Sequence, residues 1–241
     1  KNEGTFSHNS GTVKIDFETS NLNSNTRIHQ TGVKEINNLE IEMNRTTDEV
    51  QFSAGTGTSQ GLSGNFTLTK GEAMIYTVGQ HNHSFDVDGD FLVDANGTWG
   101  HLSHTGAHEF GSLTINSGGT FIATSGTTTI TNETSSHAWK NEGGTFTHNS
   151  GKVKFDLENS AGSSNVKENE FYDVEVDMFA STYSLSFFDT SGNAVTILNN
   201  LDLTKGEINF STASDTITIH GLTKIAADGT FSDNAAHDTN K

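Results

Sequence analysis

The chain has no cysteine, which excludes a disulfide framework and a thiolate metal site. Cations are scarce too. Thirteen Lys and Arg stand against thirty Asp and Glu, a formal net charge of −17. A phosphate-binding face needs clustered Lys and Arg, so nucleic acid is excluded as a partner class. The negative charge favours solubility and weak self-repulsion instead. No apolar run approaches the length of a membrane span, and no stretch shows a helical period. The serine-nucleophile elbow, the phosphate loop and the dinucleotide fingerprint are all missing. Glu40, Glu42, Glu175 and Asp177 alternate with apolar residues, the ordinary pattern of a solvated face, which argues against an enzyme. Apolar residues make up only 31%, low for a compact globule and suited to a thin fold with a narrow core. The chain starts at Lys1 with no visible signal peptide, which reads as a mature product or a piece of something longer.

What the sequence does have is repetition. Lys140–Ser160, KNEGGTFTHNSGKVKFDLENS, restates Lys1–Ser20, KNEGTFSHNSGTVKIDFETS, with one inserted glycine. Leu39–Met43 returns as Val174–Met178, Leu68–Glu72 as Leu203–Glu207, and Gly97-Thr98-Trp99 as Gly229-Thr230-Phe231. The order is kept and only loop lengths drift. Two internal copies are therefore expected, 1–139 and an incomplete 140–241, in one continuous structure.

Within each copy the apolar period is two. Val13, Ile15 and Phe17 alternate with Lys14, Asp16 and Glu18, and Val153, Phe155 and Leu157 behave alike. Phe66/Leu68, Phe85/Val87, Leu113/Ile115, Leu201/Leu203 and Ile217/Ile219 continue the pattern. Such alternation marks strands with one buried face. Asn, Gly, Asp and Ser clusters separate them, residues that tolerate the left-handed backbone of sharp corners. The class is all-β, as a parallel β-helix (β-solenoid) or as tandem antiparallel β-sandwiches. Asn96-Gly97 and Asp228-Gly229 are hairpin signals and favour the sandwiches. Two features favour the solenoid. The strands are very short, and Thr98, Thr120 and Thr145 of the Gly-Thr-aromatic signature recur at roughly 22 and 25 residues, a stacked-repeat period.

The series LTKGE, alternating strand, GTF turn, THNSGKVKFD and Asn-rich link to FYDVEVDM resembles the repeats of large secreted bacterial β-helix proteins, the adhesin-like and haemagglutinin-like surface proteins. Similar repeats occur in phage fibre proteins. The resemblance covers nearly the whole chain and rests on structural motifs. It implies a right-handed parallel β-helix on an extracellular, cell or virion surface, and it implies no catalytic residues.

Few constellations carry chemistry. Asp86, Asp88, Asp90 and Asp94 form a candidate calcium loop, since carboxylates at alternating positions can converge on a hard cation. The spacing lacks an EF-hand's glycine and bidentate glutamate. The matching stretch of copy two, Ile217–Leu222, keeps the apolar pair and glycine but no carboxylate. The corner reading therefore stands beside the metal reading, and folding is expected to need no metal. His81 and His83 with His101, His104 and His108 about one coil later form a zinc candidate; exposed loop histidines are the alternative. His8 and His148 precede Asn-Ser-Gly in both copies and suit a corner role. Sequons at Asn44, Asn65, Asn82, Asn96, Asn132 and Asn209 are expected by chance in so Ser/Thr-rich a chain.

The function expected is a non-catalytic extracellular structural or adhesive module of a surface protein, stalk or filament. Its partners are copies of itself or flanking repeats, joined end to end, with surface glycans as further ligands. The alternative is a carbohydrate-binding or cleaving receptor-binding protein such as a viral tailspike. Phe17, Leu68, Val87, Phe155, Leu203 and Ile219 are the expected core.

Overall fold

Alternating apolar residues and Asn/Gly corners produce short strands throughout the computed structural model, which describes residues 9–17, 26–30, 34–54, 60–75, 83–132, 137–158, 163–187, 194–210 and 215–233. Contacts divide the chain into two compact units, Lys1–Thr128 with Asn141–Gly151, and Thr129–Lys140 with Lys152–Lys241. The described residues hold no helix, and within each unit parallel strands stack turn upon turn as a β-solenoid.

The strands in chain order are β1 (Thr12–Phe17), β2 (Arg27–Gln30), β3 (Asn38–Met43), β4 (Glu49–Ala54), β5 (Gln60–Leu62), β6 (Phe66–Ile75), β7 (Phe85–Val93) and β8 (Gly97–Trp99). Next come β9 (His108–Ile115), β10 (Thr120–Ile122), β11 (Thr127–Ile130), β12 (His137–Asn141), β13 (Thr145–Thr147), β14 (Lys152–Phe155) and β15 (Ser163–Lys167). The last are β16 (Glu170–Phe171), β17 (Asp173–Asp177), β18 (Ser184–Ser186), β19 (Ala194–Ile197), β20 (Leu201–Phe210), β21 (Thr216–Ile219) and β22 (Thr223–Asp233).

The first unit has three faces. One stacks β1, β3, the start of β6 and the ends of β7 and β9, and carries the buried row Leu39, Phe66, Phe91, Leu113. A second stacks β2, β4, the end of β6, β8, β10 and β13. There Thr98, Thr120 and Thr145 are direct register partners, as are Trp99, Phe121 and Phe146. The period read from the Gly-Thr-aromatic signature is therefore one turn of the solenoid. The third face stacks β5 on the starts of β7 and β9, aligning Leu62, Val87 and Phe110. Phe52, Phe66, Phe85, Phe91 and Trp99 meet inside with ring centroids 4.7–6.4 Å apart.

The second unit repeats the plan. β14, β17, β20 and β22 form one face, β12, β15, β18 and the ends of β20 and β22 the next, and β16, β19 and β21 the third. Equivalent residues of the two copies hold equivalent registers. Val13 pairs with Leu39 as Val153 pairs with Val174. Ile41 pairs with Leu68 and Val176 with Leu203, and one residue later both ladders slip by one. Each bulge is followed by a glycine at positive φ, Gly71 at 97° and Gly206 at 103°. A Cβ on Gly206 would lie 2.4 Å from Met178 Cγ, and one on Gly71 would lie 2.8 Å from the same atom of Met43. The LTKGE motif is thus a bulge-and-corner device, and its glycine is required by both conformation and space.

Asn96-Gly97 makes no hairpin. It closes a corner from β7 to β8, with Gly97 N–H donating to the Asp94 carbonyl at 2.9 Å, and Gly97 aligns in parallel with Gly71. Asn116–Gly119 turns the same way one coil later. The corners are tied between turns by Asn and Asp side-chain oxygens that accept backbone N–H bonds. Asn65 N–H donates to Asn38 Oδ1 at 2.8 Å, and Asp90 N–H to Asn65 Oδ1 at 2.9 Å. In copy two Asn200 N–H donates to Asp173 Oδ1 at 2.8 Å, and Leu222 N–H to Asn200 Oδ1 at 2.9 Å.

Of the expected core, Leu68, Val87, Phe155 and Leu203 are fully buried. Phe17 and Ile219 are only half-buried, a correction. Phe17 lies on β1, paired with β3, and Ile219 on β21, paired with β19. Among the described strands each of these two has a neighbour on one side alone, which leaves its inward side chains partly open. The register is as expected: Val13, Ile15 and Phe17 are more buried than the exposed Lys14 and Asp16.

Candidate functional site

The four aspartates of the candidate calcium loop do not converge. Asp86 and Asp88 face outward from β7 and both pair with Lys34, Asp86 Oδ2 at 2.8 Å. Burial works against the Lys34 charge, but its bonds to Asp86 and Asp88 outweigh that and raise its pKa. Asp90 Oδ1 accepts from Ser112 Oγ at 2.8 Å, and Asp94 Oδ1 from Asn116 Nδ2 at 2.9 Å and from Ala95 N–H at 2.8 Å. Asp86 and Asp88 thus share one lysine, while Asp90 and Asp94 each serve a separate corner. Among the described residues no three His, Asp or Glu side chains come together as a set able to hold a metal ion. Sequence reasoning missed Lys34, which is 52 residues from Asp86 along the chain and adjacent only through the turns.

The histidines divide. His81 and His8 lie outside the described residues. His101 is exposed and accepts from Ser103 N–H at 3.2 Å through Nδ1. His148 caps its corner as the repeat predicts: Nδ1 accepts from Ser150 N–H at 3.0 Å, and its carbonyl from Gly151 N–H at 2.8 Å. Asn149 and Ser150 both sit at positive φ, matching Asn9 and Ser10 of copy one.

His104 and His108 are not surface residues. They are 4% and 2% exposed, with rings stacked at 4.7 Å and 24°. His108 also stacks on Phe110 at 5.7 Å and meets Trp99 at 6.0 Å. It aligns with Phe85 of the turn below. Burial, then the neighbouring His104, push its pKa well below the usual value, and a hydrogen bond to the Phe85 backbone only partly opposes them. The neutral imidazole is an aromatic core residue. The signal was present, since His108 is in phase with Phe110 at period two.

The outward faces carry charge in repeated positions. Lys14 Nζ lies 2.9 Å from Glu40 Oε1 and 3.0 Å from Glu42 Oε2. In copy two Lys154 lies 2.6 Å from Asp156, 3.7 Å from Glu175 and 3.5 Å from Asp177. One lysine among stacked carboxylates relieves their repulsion along the axis. A shallow groove of about 200 Å³ on this face of the second unit is lined by Glu175, Asp202, Leu203, Thr204, Lys224 and Ala226. Beyond the bulge, Phe179 stands 62% exposed, its ring 6.1 Å from Tyr183 and 5.9 Å from Lys205 Nζ. Sequence reasoning passed over this aromatic corner, which a copy-to-copy comparison of the turns reveals.

Of the sequons, Asn44, Asn65, Asn96 and Asn132 are exposed, Asn209 is half-buried and Asn82 lies outside the described residues. Asn65 Oδ1 accepts from Asp90 N–H in the corner ladder. No protein-family model, curated protein or solved structure matches this chain.

Proposed function

We propose that this chain is a non-catalytic structural module of an extracellular surface protein, stalk or filament, extended end to end by further turns or by copies of itself. The observation that supports it is the open edge of β22. Among the described strands β22 pairs with β20 alone, and Ile225, 50% exposed, continues the row Phe155, Val176, Leu203, whose other members are buried. Leu222, just before β22, is 78% exposed. A parallel edge with an apolar row running out to water is a template for another turn. Among the described strands β1 pairs with β3 alone and offers a different edge, with Val13, Ile15 and Phe17 half-buried. Joining β22 of one copy to β1 of the next pairs unlike edges, a heterologous contact able to propagate.

The mechanism is mechanical. Within each unit backbone ladders run along the axis, aromatic and aliphatic rows fill the core, and acidic faces remain in water. The net charge of −17 discourages lateral clumping while leaving the edges free to pair. Sedimentation velocity and negative-stain electron microscopy test this. Concentration-dependent linear oligomers are expected, abolished by Ile225→Lys with Leu222→Lys. A monodisperse monomer at all concentrations and salt conditions overturns it.

A further inference from the structure

The two copies make one turn with different residues, and the difference falls on the surface. In copy one the chain leaves β3 through Asn44, Arg45, Thr46, Thr47 and Asp48. Asp48 N–H donates to the Arg45 carbonyl at 3.2 Å, and Glu72 N–H to the Asp48 carbonyl at 2.8 Å. In copy two it leaves β17 through Phe179, Ala180, Ser181, Thr182 and Tyr183. Tyr183 N–H donates to the Ala180 carbonyl at 3.0 Å, and Glu207 N–H to the Tyr183 carbonyl at 2.9 Å. The backbone bonds are the same pair. Phe179 stands where Asn44 does and Tyr183 where Asp48 does, so the fold requires neither aromatic.

The two rings nevertheless lie side by side at the surface. Phe179 and Tyr183 lie 6.1 Å apart at 33°, with the Lys205 ammonium 5.9 Å from the Phe179 centroid. Two polar rows run up to them. Glu175, Asp202 and Lys224 are register partners, as are Asp177, Lys205 and Asp228. Thr204 bulges between the rows, in the wall of the groove.

We propose that this corner is a saccharide-binding site for neutral or amino-bearing oligosaccharides. An aromatic face is electron-rich and attracts the C–H face of a pyranose ring. The carboxylate oxygens of Asp177 and Asp202 accept hydrogen bonds from sugar hydroxyls or an ammonium group, and Lys205 donates. A chain of net charge −17 repels uronic and sulfated polymers. The site is additional to end-to-end assembly and does not depend on it.

The experiment is calorimetric titration of the whole chain with chitotetraose, a chitosan tetramer and cellotetraose, with tetragalacturonate as the charged comparison. At least one of the first three is expected to bind more tightly than tetragalacturonate. The double variant Phe179→Asn, Tyr183→Asp carries copy one's residues in copy two's turn. It should weaken that binding about ten-fold or more, the equivalent of a lost stacking contact. Circular dichroism checks its fold, and Phe179→Leu, which keeps bulk but removes the π-face, provides a second readout with the same expected direction. Binding of none of the three probes, equal binding by wild type and variants, or tighter binding of tetragalacturonate overturns the assignment.

Discussion

Acidification should weaken the first unit through His108. The ring is 2% exposed, between Phe110 at 5.7 Å, Trp99 at 6.0 Å and His104 at 4.7 Å. Burial and His104 depress its folded pKa, while an unfolded histidine titrates near about 6.5. A group whose folded pKa is depressed contributes its full stability above the unfolded value and loses it as pH falls. While the folded ring stays neutral, each pH unit below about 6.5 costs about 1.4 kcal/mol. Each such unit corresponds to roughly 3–6 °C in Tm for a chain of this size, over as much of the range as the folded ring stays neutral. Carboxylates titrate over part of this range, so the informative quantity is the difference between wild type and His108→Phe. Phenylalanine keeps the aromatic stack against Phe110, Trp99 and the Phe85 row, and removes the titrating group. Thermal unfolding from pH 7.5 to 4.5 should show wild type falling more steeply than the variant, with the gap opening below about 6.5. Parallel curves would refute the reasoning, because they would mean that His108 charges without cost.

Three further outcomes follow from the packing. Phe155→Ala removes a fully buried ring from the row that joins it to Val176 and Leu203, and chemical denaturation should show a loss of about 3–5 kcal/mol. Gly206→Ala meets both a φ of 103° and a Cβ position 2.4 Å from Met178 Cγ; it should cost at least about 1–3 kcal/mol by the same assay, and Gly71→Ala should behave alike. Chelator should leave Tm unchanged, because Asp86, Asp88, Asp90 and Asp94 are committed to Lys34, Ser112 and Asn116; a drop restored by calcium would contradict that.

Much of the fold is legible in the sequence for a simple reason. In a solenoid every turn solves the same problem, so the solution is written out repeatedly. Period two names the inward residues, the Gly-Thr-aromatic spacing gives the length of a turn, and the restated LTKGE marks the bulge. Local turn chemistry alone misleads at Asn96-Gly97, because the same dipeptide serves a corner when a parallel neighbour, here Gly71, fixes its register.

The sequence by itself determined the strands, their inward faces, the equivalence of the two copies and the corner role of His148. The tertiary structure decided everything that depends on which turn lies beside which. It set Lys34 against both Asp86 and Asp88, tied Asp90 to Ser112 and Asp94 to Asn116, placed His108 over Phe85 inside the core, and left Phe17 and Ile219 half-open on strands that pair on one side among the described residues. It also stood Phe179 and Tyr183 together beside Lys205. Backbone pattern is a short-range property repeated along the chain. Side-chain partnership across turns joins residues some 20 to 50 positions apart in sequence, a separation at which chain order carries no distance information.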